Sequence, residues 1–357
     1  MSATAALHRF TDFMVGPARF MNLLSCFELG LIDELRRRDG QTAAELGHAV
    51  GAAPDAVEQL LLLLVKEGFV AQDERTGGYA LDALAAVPEA DIQRVLLLMN
   101  MIKVTMLRQV FYLTDSVRAG RLVGLEELYG FHGGTLYDAV AEHSDLRQSW
   151  ATLMDNVTAH IDPWFFDNID VPAGSRVLDL AGNTGLGAIL THKLKGSPDL
   201  HVTTFDLPEK EAEALENFRS HGLEGQCSFV GGDVFKSVPA GNDVVLIKHF
   251  LDMWDKDEVR KILRGVHRSL NPGGQVNILV PVYPENIRES AAVDIDFFPA
   301  FFLGCTMGQG GPQKMSTYQA LLEECGFTGT RTVSQDPAGL LPGTFVVHGI
   351  LSATKPA

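Results

Sequence analysis

The chain has 357 residues, 46% of them hydrophobic and 21% charged, a composition typical of a folded globular protein rather than a disordered or fibrous one. This length exceeds what a single hydrophobic core usually supports, so we expect two domains. The formal net charge of −16 disfavours nucleic acids and anionic membrane surfaces as partners, because contacts to phosphate need clustered lysine and arginine.

Apolar residues recur at helical spacing through the first hundred residues. Thr42 and Glu45 have the spacing of a capping box at the start of a helix, and another helix is predicted over Asp55–Glu67. Phe69–Gln72 and Tyr79–Leu81 then predict a small hairpin, so the pattern indicates a winged helix. Its second helix offers leucine, valine and acids where a DNA reader needs arginine, lysine or asparagine. We therefore interpret it as a dimerisation or substrate-covering module.

The following segment, Ala90–Ala159, stays helical and is rich in methionine. Flexible methionine side chains adapt to irregular cavities, so this segment is expected to line an apolar ligand pocket, with Met154 as a candidate. Ordinary core packing is the alternative interpretation for each methionine.

After Pro172 short apolar runs alternate with amphipathic helices, which is typical of a parallel sheet buried on both faces. A last pair of strands, Arg331–Val333 and Thr344–Ser352, is expected to form an antiparallel edge. The predicted elements before that pair are Arg176–Leu180, Leu186–Lys195, Val202–Phe205, Glu209–His221, Cys227–Gly231, Val244–Lys248, Asp257–Leu270 and Gln275–Val280.

Polar residues stand at the ends of consecutive predicted strands, where an open parallel sheet binds its ligand. The first strand ends with Asp179 and is followed by a turn whose glycines, Gly182 among them, let a ligand approach the backbone. A carboxylate at Asp179 would repel a pyrophosphate but would accept hydrogen bonds from an ammonium group. This favours an amino-acid-bearing cofactor such as S-adenosylmethionine over NAD or FAD.

The next strand ends suit the rest of such a cofactor. Asp206 is placed to accept from both ribose hydroxyls, and Asp233 from the adenine amino group with Phe235 packed on the ring. Lys248 is placed to pair with the methionine carboxylate. Each acid taken alone is as well explained by a helix cap or a solvated loop, but polar groups at consecutive strand ends argue for a site.

Several segments resemble, in order and spacing, the small-molecule O-methyltransferases of plant phenylpropanoid and bacterial antibiotic pathways. The resemblance implies a winged-helix dimerisation domain over 1–100, a helical linker over 101–170 that contributes to the substrate pocket, and an α/β Rossmann-like class I methyltransferase domain over 171–357. It further implies a homodimer that uses S-adenosylmethionine and releases S-adenosylhomocysteine. The matching segments are Val177–Gly185, Thr204–Pro208, Gly232–Phe235, Leu246–Trp254 and Leu270–Gly274.

By position within those segments, the resemblance brings a set of residues to the cofactor. The glycine would contact the cofactor through its backbone. The acid at the second strand end would bind the ribose, and the acid at the third strand end would bind the adenine. The lysine would lie near the amino-acid end of the cofactor. Together with the residues chosen from the strand ends and loops themselves, the full set of candidate cofactor residues is Asp179, Gly182, Asn183, Asp206, Leu207, Asp233, Phe235, Lys248 and Trp254.

The chain departs from the family pattern at the residues that activate the acceptor. Asp252 stands where the family has a histidine base, and Val280 where it often has a glutamate that orients that histidine. The glycine turn carries Ala181 and Asn183 where glycines are usual; we expect Ala181 to be a small change and Asn183 to tolerate a left-handed backbone.

The candidate bases are therefore Asp252, if burial raises its pKa, and the histidines His249 and His132. A metal ion held by Asp252, His249 and Asp296 is the less favoured alternative, and no metal is expected. The candidate residues of an aromatic acceptor pocket, for which core packing explains the phenylalanine equally well, are Met154, His160, Asp296 and Phe301.

The predicted function is methylation of a small aromatic, phenolic secondary metabolite, with O-methylation favoured. The alternatives are C-methylation of a ring activated by a hydroxyl, and a relative that keeps the cofactor for another reaction or for regulation. Four scattered cysteines, the lack of a signal-peptide pattern and the lack of a long apolar run lead us to expect a cytoplasmic protein that binds no membrane and no nucleic acid.

Overall fold

The computed structural model describes residues 3–196, 199–289, 293–336 and 346–357. The chain divides into two compact units, Met1–Asn100 and Met101–Ala357. The segment predicted as a linker lies within the second unit. Among the described residues no single helix is long and apolar enough to cross a membrane, although two sharply bent helix pairs reach that length and hydropathy together.

The first unit is helical with one hairpin. The Thr42 side chain accepts from the Glu45 amide while the Glu45 carboxylate accepts from the Thr42 amide, so the predicted capping box is confirmed. The predicted hairpin is also confirmed, with Val70 opposite Leu81. The elements are α1 (Ala3–Glu28), α2 (Leu31–Arg37), α3 (Ala43–Val50), α4 (Pro54–Lys66), β1 (Val70–Gln72), β2 (Tyr79–Leu81), a 3-10 turn (Ala83–Ala86) and α5 (Glu89–Met101).

The second unit begins with helices and a π-helical stretch over Ile102–Leu107. The longest of its helices, α10, carries a buried stripe that includes Ile161, Phe165 and Phe166 and packs on the sheet. The helices are α6 (Arg108–Val110), α7 (Leu113–Ala119), α8 (Val123–Tyr129), α9 (Leu136–Glu142), α10 (Ser144–Asn168), α11 (Leu186–Lys195), α12 (Glu211–Ser220), α13 (Lys256–Ser269), α14 (Asp294–Thr306) and α15 (Met315–Glu324).

The strands of this unit form one sheet in the order β5-β4-β3-β6-β7-β10-β9, and β8 pairs with β7. Pairing is parallel from β5 to β7, and β10 is antiparallel to both its neighbours, so the predicted parallel sheet with an antiparallel edge is confirmed. The strands are β3 (Arg176–Leu180), β4 (His201–Asp206), β5 (Cys227–Gly231), β6 (Asn242–Lys248), β7 (Leu270–Tyr283), β8 (Gln313–Lys314), β9 (Thr328–Gln335) and β10 (His348–Thr354).

The predicted bounds of the central strands agree with the structure better than those at the edge. Strands β3 and β5 match residue for residue, whereas β7 is longer than its predicted Gln275–Val280 because it pairs along its length with both β6 and β10. The last strand was predicted from Thr344, which lies outside the described residues, and it is observed from His348 onward.

Side-chain alternation decides which polar residues meet. In β3, Leu178 and Leu180 point to the face covered by α13 and α15, so Asp179 between them points to the opposite face, where α10 and α11 lie. The same alternation in β6 puts Lys248 on that face too, because Ile247 belongs to the other. Since β3 and β6 are neighbours at the point where the strand order reverses, the two residues meet at the switch point of the sheet.

Candidate active site

The loop between β3 and α11 has a left-handed backbone at three residues: φ is +56° at Ala181, +50° at Asn183 and +78° at Gly185. The expectation for Asn183 is therefore confirmed. Ala181 is not the small change we expected, because a Cβ at positive φ costs about 1 kcal/mol or more. Here the chain carries backbone strain that a glycine would avoid.

The glycines of this loop are required by the packing of the chain itself. A Cβ on Gly182 or Gly187 would lie less than 3.0 Å from Oδ2 of Asp179, and one on Gly185 would meet the ring of Phe218. The sequence suggests one reason for these glycines, which is that they let a ligand approach the backbone. The structure adds a second reason, since the loop lies directly against a buried carboxylate.

That carboxylate forms an ion pair inside the sheet. Lys248 Nζ donates to Asp179 Oδ1, and the two side chains are 8% and 0% exposed. Burial acts to lower the pKa of Lys248, but the nearby carboxylates of Asp179 and Asp162 outweigh it, so the pKa is raised and the ammonium stays charged. Lys248 thus has a partner within the chain, and its role at a methionine carboxylate stays a prediction.

A partly open cavity of about 60 Å³ lies next to this ion pair. It brings together many of the residues that the sequence placed at the cofactor, and Met154, which was placed at the acceptor, lies on its wall as well. Asp162 on α10 also lines it. The predicted residues in its lining are Asp179, Gly182, Asn183, Lys248, His249 and Met154.

Asp162 was missed by the sequence reasoning because it belongs to no recognisable motif. It is fully buried, and neither of its oxygens accepts a hydrogen bond from any residue that the structure describes. The nearest basic atom recorded for it is His249 Nε2, 3.4 Å from Oδ1. One signal was available in the sequence: Asp162 lies on the same stripe of α10 as the buried Phe165 and Phe166.

His249 follows β6 and also has a left-handed backbone, with φ of +50°. Its side chain is 9% exposed, and its ring lies edge-on to that of His348 at a centroid distance of 5.3 Å. Burial, reinforced by His249, lowers the pKa of His348 to about 3, so His348 is neutral near pH 7. His249 therefore lines the cavity, and its ring lies between the acid Asp162 and the neutral imidazole of His348.

Asp206 at the end of β4 holds the glycine loop in place. Its Oδ2 accepts from the Asn183 amide and its Oδ1 from the Leu207 amide, each at 2.7 Å. A carboxylate oxygen can accept a second hydrogen bond, so both oxygens retain capacity for ribose hydroxyls. The ribose role of Asp206 stays a prediction that this geometry permits.

The third strand end forms an aromatic group. Asp233 accepts from the Phe235 amide at 2.9 Å, and its Oδ2 lies 3.3 Å from Lys236 Nζ. The Phe235 ring is 40% exposed and packs edge-on against Trp254 at a centroid distance of 4.8 Å. Phe235 and Trp254 are thus adjacent, and their contact with a cofactor stays a prediction.

Asp252 lies in a short 3-10 turn, Leu251–Met253, that follows β6. Its Oδ1 is buried and accepts no hydrogen bond from the described part of the chain. Burial raises the pKa of Asp252 to about 6, against the opposing influence of His249. In turn Asp252 contributes to raising the pKa of Tyr137 and Tyr318, whose shifts come mainly from burial.

Other predicted residues are not brought to this cavity. The His132 side chain is 78% exposed and lies 4.0 Å from Glu126, while Nδ1 of His160 bonds to the Asn156 carbonyl oxygen at 2.8 Å. Asp296 is exposed, and Phe301 is buried in a cluster of phenylalanine rings on α14. Among the described residues no group of three or more histidine, cysteine or acidic side chains is arranged to hold a metal ion.

Comparison with known families decides the class of the protein. An O-methyltransferase domain matches residues 111–328, and an O-methyltransferase dimerisation domain matches residues 11–87. The chain belongs to the O-methyltransferase family. This methyltransferase thus combines a helical dimerisation domain with the Rossmann-like fold of a family that depends on S-adenosylmethionine.

Relatives of this methyltransferase act at different atoms. A Streptomyces cremeus protein named 3-amino-4-hydroxybenzoate 4-O-methyltransferase is 27% identical, covering 89% of this chain and 84% of its own. A Streptomyces lavendulae protein named L-tyrosine C(3)-methyltransferase is 23% identical, covering 96% and 91%. The solved structure of human N-acetylserotonin methyltransferase in complex with SAM matches with a TM-score of 0.77 at 20% identity, over 100% of both chains.

Proposed function

We propose that this methyltransferase transfers a methyl group from S-adenosylmethionine to a hydroxyl of a small aromatic molecule, with Asp252 as the general base. The observation that carries the proposal is the environment of Asp252. It stands at the family's base position, has a buried oxygen without a partner among the described residues, and has a pKa raised to about 6.

The residues of the cavity and of the strand ends fit this cofactor. The unpartnered, buried oxygens of Asp179 and Asp162 provide acceptors for an ammonium group, and Asp206 retains acceptor capacity for hydroxyls. Phe235 and Trp254 offer aromatic surface for the adenine. When bound, S-adenosylmethionine supplies a methyl group that is already activated by its sulfonium sulfur, so the protein's task is to position the acceptor and remove its proton.

Asp252 suits the proton transfer because of its raised pKa. A phenol loses its proton near pH 10 unaided, and a carboxylate with an ordinary pKa of about 4 is a weak acceptor for that proton. A base whose pKa lies near the working pH combines a high deprotonated fraction with a stronger driving force. No second side chain orients it from β7, because Val280 is an apolar, fully buried residue of the sheet.

An aromatic acceptor is supported by the residues around Asp252. Tyr137 and Tyr318 are both close enough for Asp252 to influence their pKa values, and the Tyr137 ring packs edge-on against Trp150 at a centroid distance of 5.1 Å. Aromatic rings of this kind favour a flat ligand through edge-to-face packing. The relative that acts on an aminohydroxybenzoate supports the same acceptor class.

C-methylation of a phenol ring is the second candidate, because it needs the same base to polarise the hydroxyl while a ring carbon attacks. The relative named as a tyrosine C(3)-methyltransferase supports C-methylation as a candidate. Incubation with methyl-labelled S-adenosylmethionine and a panel of phenols, followed by NMR of the products, distinguishes the two. A labelled methoxy group supports the first, a labelled aryl methyl group the second, and no labelled product rejects both.

We also propose that the enzyme is a homodimer through its first unit. The dimerisation domain covers residues 11–87, and α1 exposes large apolar side chains such as Phe10, Phe13 and Met14, which are 60%, 79% and 71% exposed. Exposed apolar surface of this kind is typical of an interface. Analytical ultracentrifugation tests this: a dimer mass is expected, and replacing Phe13 and Met14 by Glu should yield monomer.

A further inference from the structure

The cavity has a second buried acid, Asp162, and the function as proposed so far does not decide between it and Asp179 as the acceptor for an ammonium group. Its side chain is fully buried, yet its oxygens accept no hydrogen bond from the described residues. A buried carboxylate without partners costs several kcal/mol, so such groups persist where a ligand or a function compensates for them. The contact to His249, at 3.4 Å, is too long for a good hydrogen bond.

Among the residues that the structure describes, the buried carboxylates around the cavity outnumber the buried ammonium groups. Asp179 and Asp162 are both fully buried there, and the ammonium group of Lys248 donates a hydrogen bond to Asp179. That leaves Asp162 without a hydrogen bond to the lysine, and the nearest basic atom recorded for it is His249 Nε2 at 3.4 Å. A ligand that brings one ammonium group, with three N–H donors, would complete the arrangement.

The size of the cavity limits what that ligand group can be. Its volume of about 60 Å³ corresponds to roughly four to six water-sized groups at 10–15 Å³ each. An α-amino-acid head has five non-hydrogen atoms, so it fits within this volume. The cavity is also bordered by Gly182 and by the start of α11.

We propose that Asp162 is the acceptor for the α-ammonium group of the cofactor, the role that the sequence suggested for Asp179. Asp162 receives the ammonium N–H groups, while Asp179 holds Lys248 and supports the glycine loop. This inference rests on the proposed use of S-adenosylmethionine. It assigns the recognition of the amino group to α10 and not to the sheet.

The test measures equilibrium binding by calorimetry, without turnover. The probes are S-adenosylhomocysteine and its deamino analogue, S-(5′-adenosyl)-4-mercaptobutanoate, which keeps the carboxylate. Wild-type enzyme should bind the first about 10- to 100-fold more tightly, the range of one charge-assisted hydrogen bond. Asp162→Asn should lose most of this preference by weakening only S-adenosylhomocysteine.

Asp155→Asn is the matched control, because Asp155 lies two turns earlier on α10, lines the same cavity and is exposed. It removes the same charge and should keep the preference. His249→Gln should keep it too, and this variant also tests the inference if Asp162→Asn does not fold. Loss of the preference in His249→Gln or Asp155→Asn, or its retention in Asp162→Asn, overturns the inference. Failure of the wild-type enzyme to bind S-adenosylhomocysteine would instead reject the proposed cofactor.

Discussion

Lys248 and Asp179 form an ion pair between two neighbouring strands of the sheet, with both side chains buried. The pair exists because alternation along β3 and β6 turns both residues to the same face, at the point where the strand order reverses. It connects the glycine loop, the end of β6 and α10, so the shape of the cofactor cavity depends on it.

Breaking this ion pair from one side should be costly. Burial raises the pKa of Asp179 and Lys248 opposes this, so Lys248→Met leaves a fully buried carboxyl group without its cation, and we expect it to lower the free energy of unfolding by about 3–5 kcal/mol. Asp179→Asn should cost less, because the nearby Asp162 carboxylate also acts to raise the pKa of Lys248 and still favours the charged lysine. Urea denaturation of both single variants and of the double variant measures the coupling. The double variant should recover much of the loss; simple addition of the two costs would contradict a direct pair.

Ala181→Gly should stabilise the enzyme. Ala181 has φ of +56°, where glycine is free of the Cβ clash, so the gain should be about 1 kcal/mol, or a rise of about 2–4 °C in Tm. Ala188→Gly is the opposite control, since Ala188 is fully buried inside α11 and the same change there should cost about 1 kcal/mol or more. Thermal unfolding of the three proteins checks the signs, and a destabilised Ala181→Gly would show that this backbone is not strained.

The rate of methyl transfer should follow the ionisation of Asp252. With a pKa of about 6, the base is active only when deprotonated, so kcat/KM should rise with pH through 6 and level off above it. Asp252→Asn should lose this limb and about 10²- to 10⁴-fold in kcat. Asp255→Asn is the control, because Asp255 is an exposed N-cap of α13 and asparagine caps equally well. An Asp252→Asn enzyme with unchanged kcat between pH 6 and 9 would remove Asp252 from the mechanism.

The ionised side chain of Asp252 should also destabilise the folded enzyme at neutral pH. Its pKa is about 6 when folded against a model value of 3.8, so the folded state binds more protons between these values and stability falls as pH rises through them. Asp252→Asn should therefore be more stable than wild type at pH 8 by up to about 3 kcal/mol, since each pKa unit is worth about 1.4 kcal/mol. Denaturation at pH 8 and pH 4 checks this, because the gain should shrink at pH 4. An equal gain at both values would indicate repacking and not charge.

The fold was accessible from the sequence because its signals are local and repeated. Strand β3 and helix α11 were predicted to the residue, since the glycine turn after Leu180 fixes where one ends and the other begins. The edge was less accessible: β7 extends over Leu270–Tyr283 because strands on both sides hydrogen-bond to it, and distant pairing has no local signal.

The candidate site was accessible only in part. Asp179, Gly182 and Lys248 do meet, because strand ends on one edge of a parallel sheet must converge. His132, His160 and Asp296 were chosen by residue type alone, and side-chain direction kept them away from the cavity. The identity of a residue indicates which chemistry its side chain can perform, but the direction of that side chain depends on how the helices pack.

By itself the sequence determined the family, the order of strands and helices, and the replacement of the usual base by Asp252, because each is carried by neighbouring residues. Only the tertiary structure decided that Lys248 already has a partner, that Ala181 is strained, and that Asp162 enters the cavity from α10. The physical reason is distance along the chain. An ion pair between residues 69 positions apart, or a buried acid on a remote helix, depends on how elements pack, which no local pattern records.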